Sequence, residues 1–449
     1  MSKSGVGDVE NRKIVLVTGA NSGLGFSICC RLADEFLASH QNDNKALTVI
    51  FTTRSTRKGS DTLRSLQAHL RSSSSAVRDP AAAASRVIFV PENADLCDLL
   101  SVRALSRRLN KNFPKLDAVI LNAGIGGWTG LNWPLAIWSV LTDLVHAVTW
   151  PTFKIAPAGQ ITEYQTSSVK DKEPRLGTVF CANVFGHYML AHNVMPLLRK
   201  AGSSDSSSGA GEESGRVIWV SSIEATVKAF DVEDIQGLRT EAPYESSKAL
   251  TDVLALTSEL PSTAPWVKSF TSTTETNLTS TAPKTYLSHP GICSSSIVPL
   301  HTVLIYCMLA ATWLARMLGS PWHTLSTYLG ACAPVWLALS PQSELDASES
   351  RYKHLGGGKV KWGSSSLRSG KTFPASTEID GWGFGGVVGP AVLSDDKARR
   401  RKRGAIDLTA EAKEKFEEVG RECWKQMEEL RVEWEGILDA EEKEVGLVG

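Results

Sequence analysis

The apolar run Ile14-Val15-Leu16-Val17 passes directly into Thr18-Gly19-Ala20-Asn21-Ser22-Gly23-Leu24-Gly25, and a helical pattern follows from Phe26 to Leu37. No other stretch constrains the fold as strongly. Glycines let the main chain approach a pyrophosphate where side chains would collide, and the helix behind them offers free amides and the positive end of its dipole. The spacing is Gly-x-x-x-Gly-x-Gly rather than Gly-x-Gly-x-x-Gly. A turn of this kind between a buried strand and an amphipathic helix marks a nucleotide site.

The strand–helix rhythm then repeats. A strand over Leu47–Thr53 ends in Arg54, with Arg57 and Lys58 close behind. An NAD site places Asp or Glu here for the ribose hydroxyls, and Phe51-Thr52-Thr53 offers neither. Arg54 can instead grip a 2′-phosphate through paired charge-assisted hydrogen bonds, which favours NADP; the alternative is that it caps an exposed strand end. A polar helix (Ser60–Leu70) and a low-complexity Ser/Ala loop (Ser72–Ser85) lead to the strand Arg86–Val90 and to Asn93-Ala94-Asp95-Leu96, where Asp95 can accept from an adenine amino group. The strand Leu116–Leu121 ends in the small residues Asn122-Ala123-Gly124. Four β–α alternations predict an α/β fold with a doubly wound parallel sheet of Rossmann type.

Further on, Tyr244 and Lys248 stand four residues apart in a helical sequence, so a phenol and an ammonium rise from one face. Leu250, Val253, Leu254 and Leu256 mark that helix's buried side. The spacing is common, and only its company makes it chemically meaningful.

The order of these motifs resembles the short-chain dehydrogenase/reductase family over about 280 residues. The family's glycine turn matches Gly19, Gly23 and Gly25, its adenine-contact motif Asp95-Leu96, and its Asn-Ala-Gly motif Asn122–Gly124. Its helical Asn falls on Asn183, its serine on Ser222 after the strand Arg216–Val220, and its Tyr-x-x-x-Lys on Tyr244–Lys248. Its Pro-Gly-x-x-x-Thr cofactor lid is Pro290-Gly291 with Ser295 at the Thr position. Ser221 is a second candidate for the serine, since either hydroxyl can face the cleft. The segments 202–215 and 230–242 lengthen the family's spacings and read as surface loops.

The resemblance implies NADPH bound by Gly19, Ser22, Gly23, Leu24, Gly25, Arg54, Asp95, Asn122, Tyr244, Lys248 and Ser295, and a catalytic set of Asn183, Ser222, Tyr244 and Lys248. Carbonyl reduction leaves negative charge on oxygen, so a donor must stand over it and a proton must arrive. Ser222 would bond the substrate oxygen and Tyr244 would donate the proton. Lys248 would hold the nicotinamide ribose and lower the pKa of the phenol, and Asn183 would position a water or Lys248 for proton resupply. His187 and His192 read as packing or surface histidines.

Substrate class follows from the surroundings. Trp128, Trp133, Trp138 and Trp150 suit a flat apolar ligand at the cleft mouth. Between Lys284 and Glu344 the only charged residue is Arg316. Ile297–Leu318 approaches the length of a membrane span but contains Pro299, His301 and Arg316, and Thr324–Leu339 is broken by Pro334. A monotopic hairpin over 296–340 fits better than a crossing. Asn-Ala-Gly-Ile-Gly-Gly-Trp with this apolar insertion resembles the fungal-type 3-ketosteroid reductases of ergosterol biosynthesis. That resemblance implies reduction of a 3-keto sterol to the 3β-alcohol at the cytosolic face of the endoplasmic reticulum membrane, and on lipid droplets, beside the other sterol C4-demethylation enzymes. Two other readings stay open: reduction of another lipid carbonyl such as a retinoid or other steroid, and a scaffold role in a sterol-synthesis complex.

Composition sets limits on partners. Lys plus Arg equals Asp plus Glu at 48 each, so no overall field draws the chain to nucleic acid, and the basic run Arg399–Arg403 reads as a solvated linker. Eight cysteines without a Cys-x-x-Cys pair or His at ligand spacing predict reduced thiols and no metal site. Met1–Lys13 has no apolar core of a signal peptide, which would leave the sequon at Asn277 idle. The expected division is a reductase domain over 1–345, an irregular linker over 346–404 and a helical extension over 405–449, whose apolar stripe from Phe416 to Trp434 faces the core or a partner.

Overall fold

The computed structural model describes residues 11–74, 84–166, 173–203, 214–273, 281–293 and 302–444. Eight strands form the main sheet: β1 (Arg12–Val17), β2 (Ala46–Thr53), β3 (Val87–Asn93), β4 (Ala118–Leu121), β5 (Arg216–Val220), β6 (Lys284–His289), β7 (Lys361–Ser366) and β8 (Thr372–Ser376). Their order is β8-β7-β6-β5-β4-β1-β2-β3, parallel except for the antiparallel edge pair β7–β8. The order reverses between β1 and β4, the crevice in which such sheets bind ligands.

The helices that matter here are α1 (Gly23–Ser39), α2 (Thr56–Ser74), α3 (Leu99–Asn112), α4 (Trp133–Thr142), α5 (Leu144–Thr149), α6 (Gly186–Asn193), α7 (Pro243–Leu256), α8 (Thr302–Met317), α9 (Cys332–Leu339) and α10 (Ala410–Glu444). Strand side chains alternate between faces. Val15, Val17, Ile120 and Ile218 pack with α1, α2 and α9, while Leu16, Val119, Leu121 and Val217 pack with α3, α6, α7 and α10. The sheet is covered on both sides, as a parallel sheet requires.

Strand ends are in register, and this positions the site. Val17 pairs with Phe51, Thr53 with Asn93, Leu121 with Trp219 and Val220 with Ser288. The glycine turn, Arg54, Asp95, Asn122 and Ser222 each follow one of these strand ends, so they gather along one edge of the sheet.

Three expectations are revised. The stretch 346–404 is irregular only in part: it contains β7, which pairs with β6, and β8, which pairs with β7, and Trp362 and Ala375 are buried. Gly363, Ser364 and Ser365 hid this strand, because small polar side chains carry no apolar alternation. The second apolar segment is also core rather than membrane-facing, since Ala333, Val335, Leu337 and Ala338 of α9 are buried against the sheet. The basic run is solvated only in part: Arg399 pairs with Asp396, Arg401 with Glu378 and Asp407, and Lys402 with Asp380, while Arg400 and Arg403 are exposed.

The 35-residue α10 resolves toward the core. Phe416, Trp424, Met427, Trp434 and Leu438 are buried in the cluster that includes α7, and the Trp424 Nε1–H donates to the Leu254 carbonyl at 3.1 Å. Tyr188 of α6 donates to Glu428 at 2.7 Å, and Glu428 is paired with Arg431 at 2.8 Å. All eight cysteines are free. The sequon at Asn277 lies outside the described residues.

Candidate active site

The glycine turn is built for close approach. Gly19 and Gly23 have φ of 69° and 59°, which disfavours any residue with a Cβ. A Cβ on Gly25 would lie 2.2 Å from the Gly19 carbonyl oxygen, whereas the space above Gly23 is open. Ser22 occupies the N-cap of α1 without a capping side-chain bond, so the first amides of that helix face outward. Leu24 is half-buried against the core below.

Thr18 ties this turn to the neighbouring strand. The backbone N–H groups of Asn122 and Ala123 donate to Thr18 Oγ1 at 2.8 and 3.0 Å, and Asn122 Nδ2 donates to the Thr18 carbonyl at 3.0 Å. His187 Nε2 stands 2.9 Å from the same hydroxyl. Burial pulls His187 down to about 3, so it is a neutral strut, in keeping with the packing role expected of it. Arg54 is exposed at the end of β2, and Asp95 is half-buried, its Oδ1 accepting from the Cys97 N–H at 2.9 Å. Open space above the turn, free helix amides and an exposed guanidinium at the second strand end together fit a phosphorylated dinucleotide. Ser295 lies outside the described residues.

At the other side of the switch point, Asn183, Ser222, Tyr244 and Lys248 are brought together. Asn183 sits in a π-helical turn, Cys181–Phe185, leading into α6. Its Oδ1 accepts from the Ile125 N–H at 2.8 Å, and its Nδ2 donates to the Ile125 carbonyl and to Ser247 Oγ, each at 3.0 Å. A Cβ on Gly124 would lie 2.8 Å from Asn183 Oδ1 and 4.0 Å from Lys248 Nζ, so that glycine lets both side chains converge. Lys248 Nζ donates to the Val220 carbonyl at 2.8 Å and lies 5.8 Å from the Tyr244 ring centre.

Between the two serines the geometry decides. The Ser221 hydroxyl is spent on Asp252 at 2.5 Å and on the Lys248 carbonyl at 3.3 Å. The Ser222 hydroxyl, which accepts from the Glu224 N–H at 3.1 Å, is the one that stands beside the Tyr244 phenol and favours its ionised form.

The expected lowering of the Tyr244 pKa is corrected. Burial, then the nearby Glu224 carboxylate, push it well above the usual phenol value, and the Ser222 hydrogen bond only partly opposes them. Lys248 is itself lowered to about 8 by burial, despite the Asp252 carboxylate. The phenol therefore holds its proton across the neutral range.

Five charged residues at the site carried no motif. Lys154 pairs with Glu224 and, at 2.7 Å, with Glu245, and its ammonium lies 4.0 Å from the Trp128 ring centre. Asp252 and Lys361 form a buried pair beneath the serines. A signal existed for Asp252, which follows Tyr244 and Lys248 at another four-residue step along the same helix face. Trp128 meets the Tyr244 ring edge-on at 4.8 Å, and a cavity of about 250 Å³ opens beside it, lined also by Trp150, Lys154, Glu224 and Glu245. Trp133 and Trp138 do not reach this cavity; both are exposed on α4.

Curated relatives match nearly the whole chain. The 3-keto-steroid reductase erg27 of Aspergillus fumigatus is 66% identical over 442 residues, covering 97% of each chain. The 3-keto-steroid reductase ERG27 of Gibberella zeae is 39% identical over 96% of this chain and 95% of its own. No protein-family model matches. Among solved structures, L-sorbose reductase from Gluconobacter frateurii, complexed with NADPH and L-sorbose, is 14% identical over 74% of this chain and 90% of that one, with a TM-score of 0.40, too loose a likeness to bear on activity. Sequence identity of this extent, over nearly the whole length of both chains, decides the matter: the chain belongs to the 3-keto-steroid reductase family.

Proposed function

We propose that this chain reduces the 3-keto group of a sterol intermediate to the 3β-hydroxyl during sterol C4-demethylation, with NADPH as reductant. The observation that carries the reading is the gathering of buried Tyr244, Ser222 and Lys248 at one place, with the Lys248 ammonium 5.8 Å from the Tyr244 ring centre. A bound dihydronicotinamide supplies the hydride. The chain supplies the rest.

As hydride reaches the carbonyl carbon, charge builds on its oxygen, and the Ser222 and Tyr244 hydroxyls donate to it. Tyr244 then gives up its proton; a positioned acid of this kind contributes roughly 10²- to 10⁴-fold to rate. Lys248, with its pKa near 8, is still largely protonated at neutral pH and offsets the tyrosinate as it forms. Asn183, locked to Ile125 and Ser247, keeps Gly124 and Lys248 in place for proton resupply. Gly19, Ser22, Gly23, Leu24, Gly25 and Asn122 would cradle the pyrophosphate, Asp95 would meet the adenine, and Arg54 would select the 2′-phosphate. In a purified preparation, NADPH absorbance is expected to fall only when a 3-keto sterol is added; consumption with retinoids but not with such sterols would sink the substrate assignment.

We also propose attachment to the endoplasmic reticulum membrane and to lipid droplets, beside the other sterol C4-demethylation enzymes. Support comes from α8, whose Tyr306, Trp313, Leu314 and Met317 are exposed at helical spacing, and from α4, whose Ile137, Trp138 and Leu141 are exposed. Among the described residues no helix is long and apolar enough to cross a membrane, so the reading is of a surface helix. Replacing Trp313 and Leu314 with Ser should reduce flotation with phospholipid vesicles, and unchanged flotation would contradict it.

A further inference from the structure

Beneath Ser222 lies a buried ion pair that the reaction as described does not use. Asp252 stands one turn after Lys248 on the same face of α7. Its Oδ2 accepts from Lys361 Nζ at 2.5 Å, and its Oδ1 accepts from Ser221 Oγ at 2.5 Å. The Lys361 ammonium also donates to the Ser222 carbonyl oxygen at 2.7 Å. Both charged side chains are almost fully buried, at 1% and 2% exposure.

Such a pair is a poor device for stability alone. Desolvating two charges offsets most of their attraction, and apolar replacements of similar volume are often neutral or better. What the pair does supply is geometry. It grips two successive residues at the end of β5, the hydroxyl of Ser221 and the carbonyl of Ser222, from a strand 139 residues further along the chain. It also sets one negative and one positive charge against Lys248.

We propose that Lys361 and Asp252 are positioning residues for carbonyl reduction: the pair clamps the Ser221–Ser222 backbone so that the Ser222 hydroxyl stays beside Tyr244 on the substrate oxygen. This rests on the reductase reading above. It gives β7 a role in the reaction, since that strand carries Lys361 under the reacting groups.

A small displacement of a reacting group reduces rate on the order of 10- to 100-fold. Lys361→Met should therefore lower kcat by that factor while leaving KM for NADPH and for the ketone nearly unchanged, and Lys361→Arg should recover part of the loss. The double variant Lys361→Met with Asp252→Leu removes both charges, so no stranded charge endangers the fold. It is expected to melt near the wild-type temperature yet remain slow. If the double variant melts normally and turns over at the wild-type rate, the pair is structural and the proposal fails. If Lys361→Met does not fold, the double variant decides by the same two readouts. Should the double variant not fold either, the Lys361→Arg rate decides: a partial kcat loss at constant KM supports the clamp, and a wild-type rate overturns it. Wild-type protein assayed in parallel separates the two levels, because failure of wild type to reduce 3-keto steroids would strike the function and not the clamp.

Discussion

On the cofactor side of the β1–β4 switch, Asn21, Ser22 and Arg54 are exposed, and the amides at the start of α1 have no side-chain cap. On the catalytic side, Asn183, Ser221, Lys248, Asp252 and Lys361 are buried, and every one of them is bonded to another part of the chain. One side keeps its donors for a ligand, and the other has committed nearly all of them internally. The lesson is that this sheet separates binding from precision. A side chain on the cofactor side can be lost with a local change in affinity, whereas one on the catalytic side disturbs a network built around two hydroxyls, Ser222 and Tyr244.

The largest expected effect breaks the catalytic side directly. Tyr244→Phe removes the proton donor and should lower kcat by roughly 10²- to 10⁴-fold with little change in KM for NADPH, as steady-state kinetics would show. A loss of less than about tenfold would place the proton source elsewhere.

What the sequence made legible follows the same division. The cofactor side is local: a turn, a strand end and a helix start lie within a few residues, so the location of Gly19–Gly25, Arg54 and Asn122 at strand ends was legible from the pattern. The catalytic motif was local too, since Tyr244 and Lys248 share one helix face. Its supports were not. Lys361 reaches Asp252 across 109 residues, from a strand whose Gly363-Ser364-Ser365 carries no apolar pattern. Lys154 likewise meets Glu224 and Glu245 only through the fold. The sign of the Tyr244 shift was misjudged for the same reason, because the burial and the Glu224 carboxylate that raise it are tertiary. Helix α10 was visible as an amphipathic stripe, but whether it covers the core or a partner needed Trp424 bonded to Leu254.

A second, smaller effect sharpens the contrast through pH. Lys248 faces Asp252, Lys361, His187 and Tyr244, and its pKa is lowered to about 8. Its ammonium is present below that value and lost above it. Because kcat/KM reports groups in the free enzyme, it should hold level toward neutral pH and fall about tenfold per unit above about 8. In Lys248→Arg, whose cation does not titrate there, the alkaline fall should vanish. A wild-type profile that stays flat to pH 10 would assign the cation no part.

The last effect belongs to the cofactor side and is one of affinity rather than rate. Arg54→Ala should weaken NADPH binding by about 1.5–3 kcal/mol, the usual worth of hydrogen bonds to a charged group, and leave kcat and the KM for NADH nearly as they were. An equal loss for both cofactors would show that Arg54 caps its strand rather than reading a 2′-phosphate.

The central claim is tested most directly by following the hydride and the proton donor together. Purified protein is incubated with a 3-keto sterol and NADPH carrying deuterium at C4 of the nicotinamide, and the sterol product is analysed by mass spectrometry. The account predicts a 3β-hydroxysterol with one deuterium at C3 from the wild type and almost none from Tyr244→Phe. Absence of the 3-hydroxysterol from wild type, or equal yields from both proteins, would contradict it.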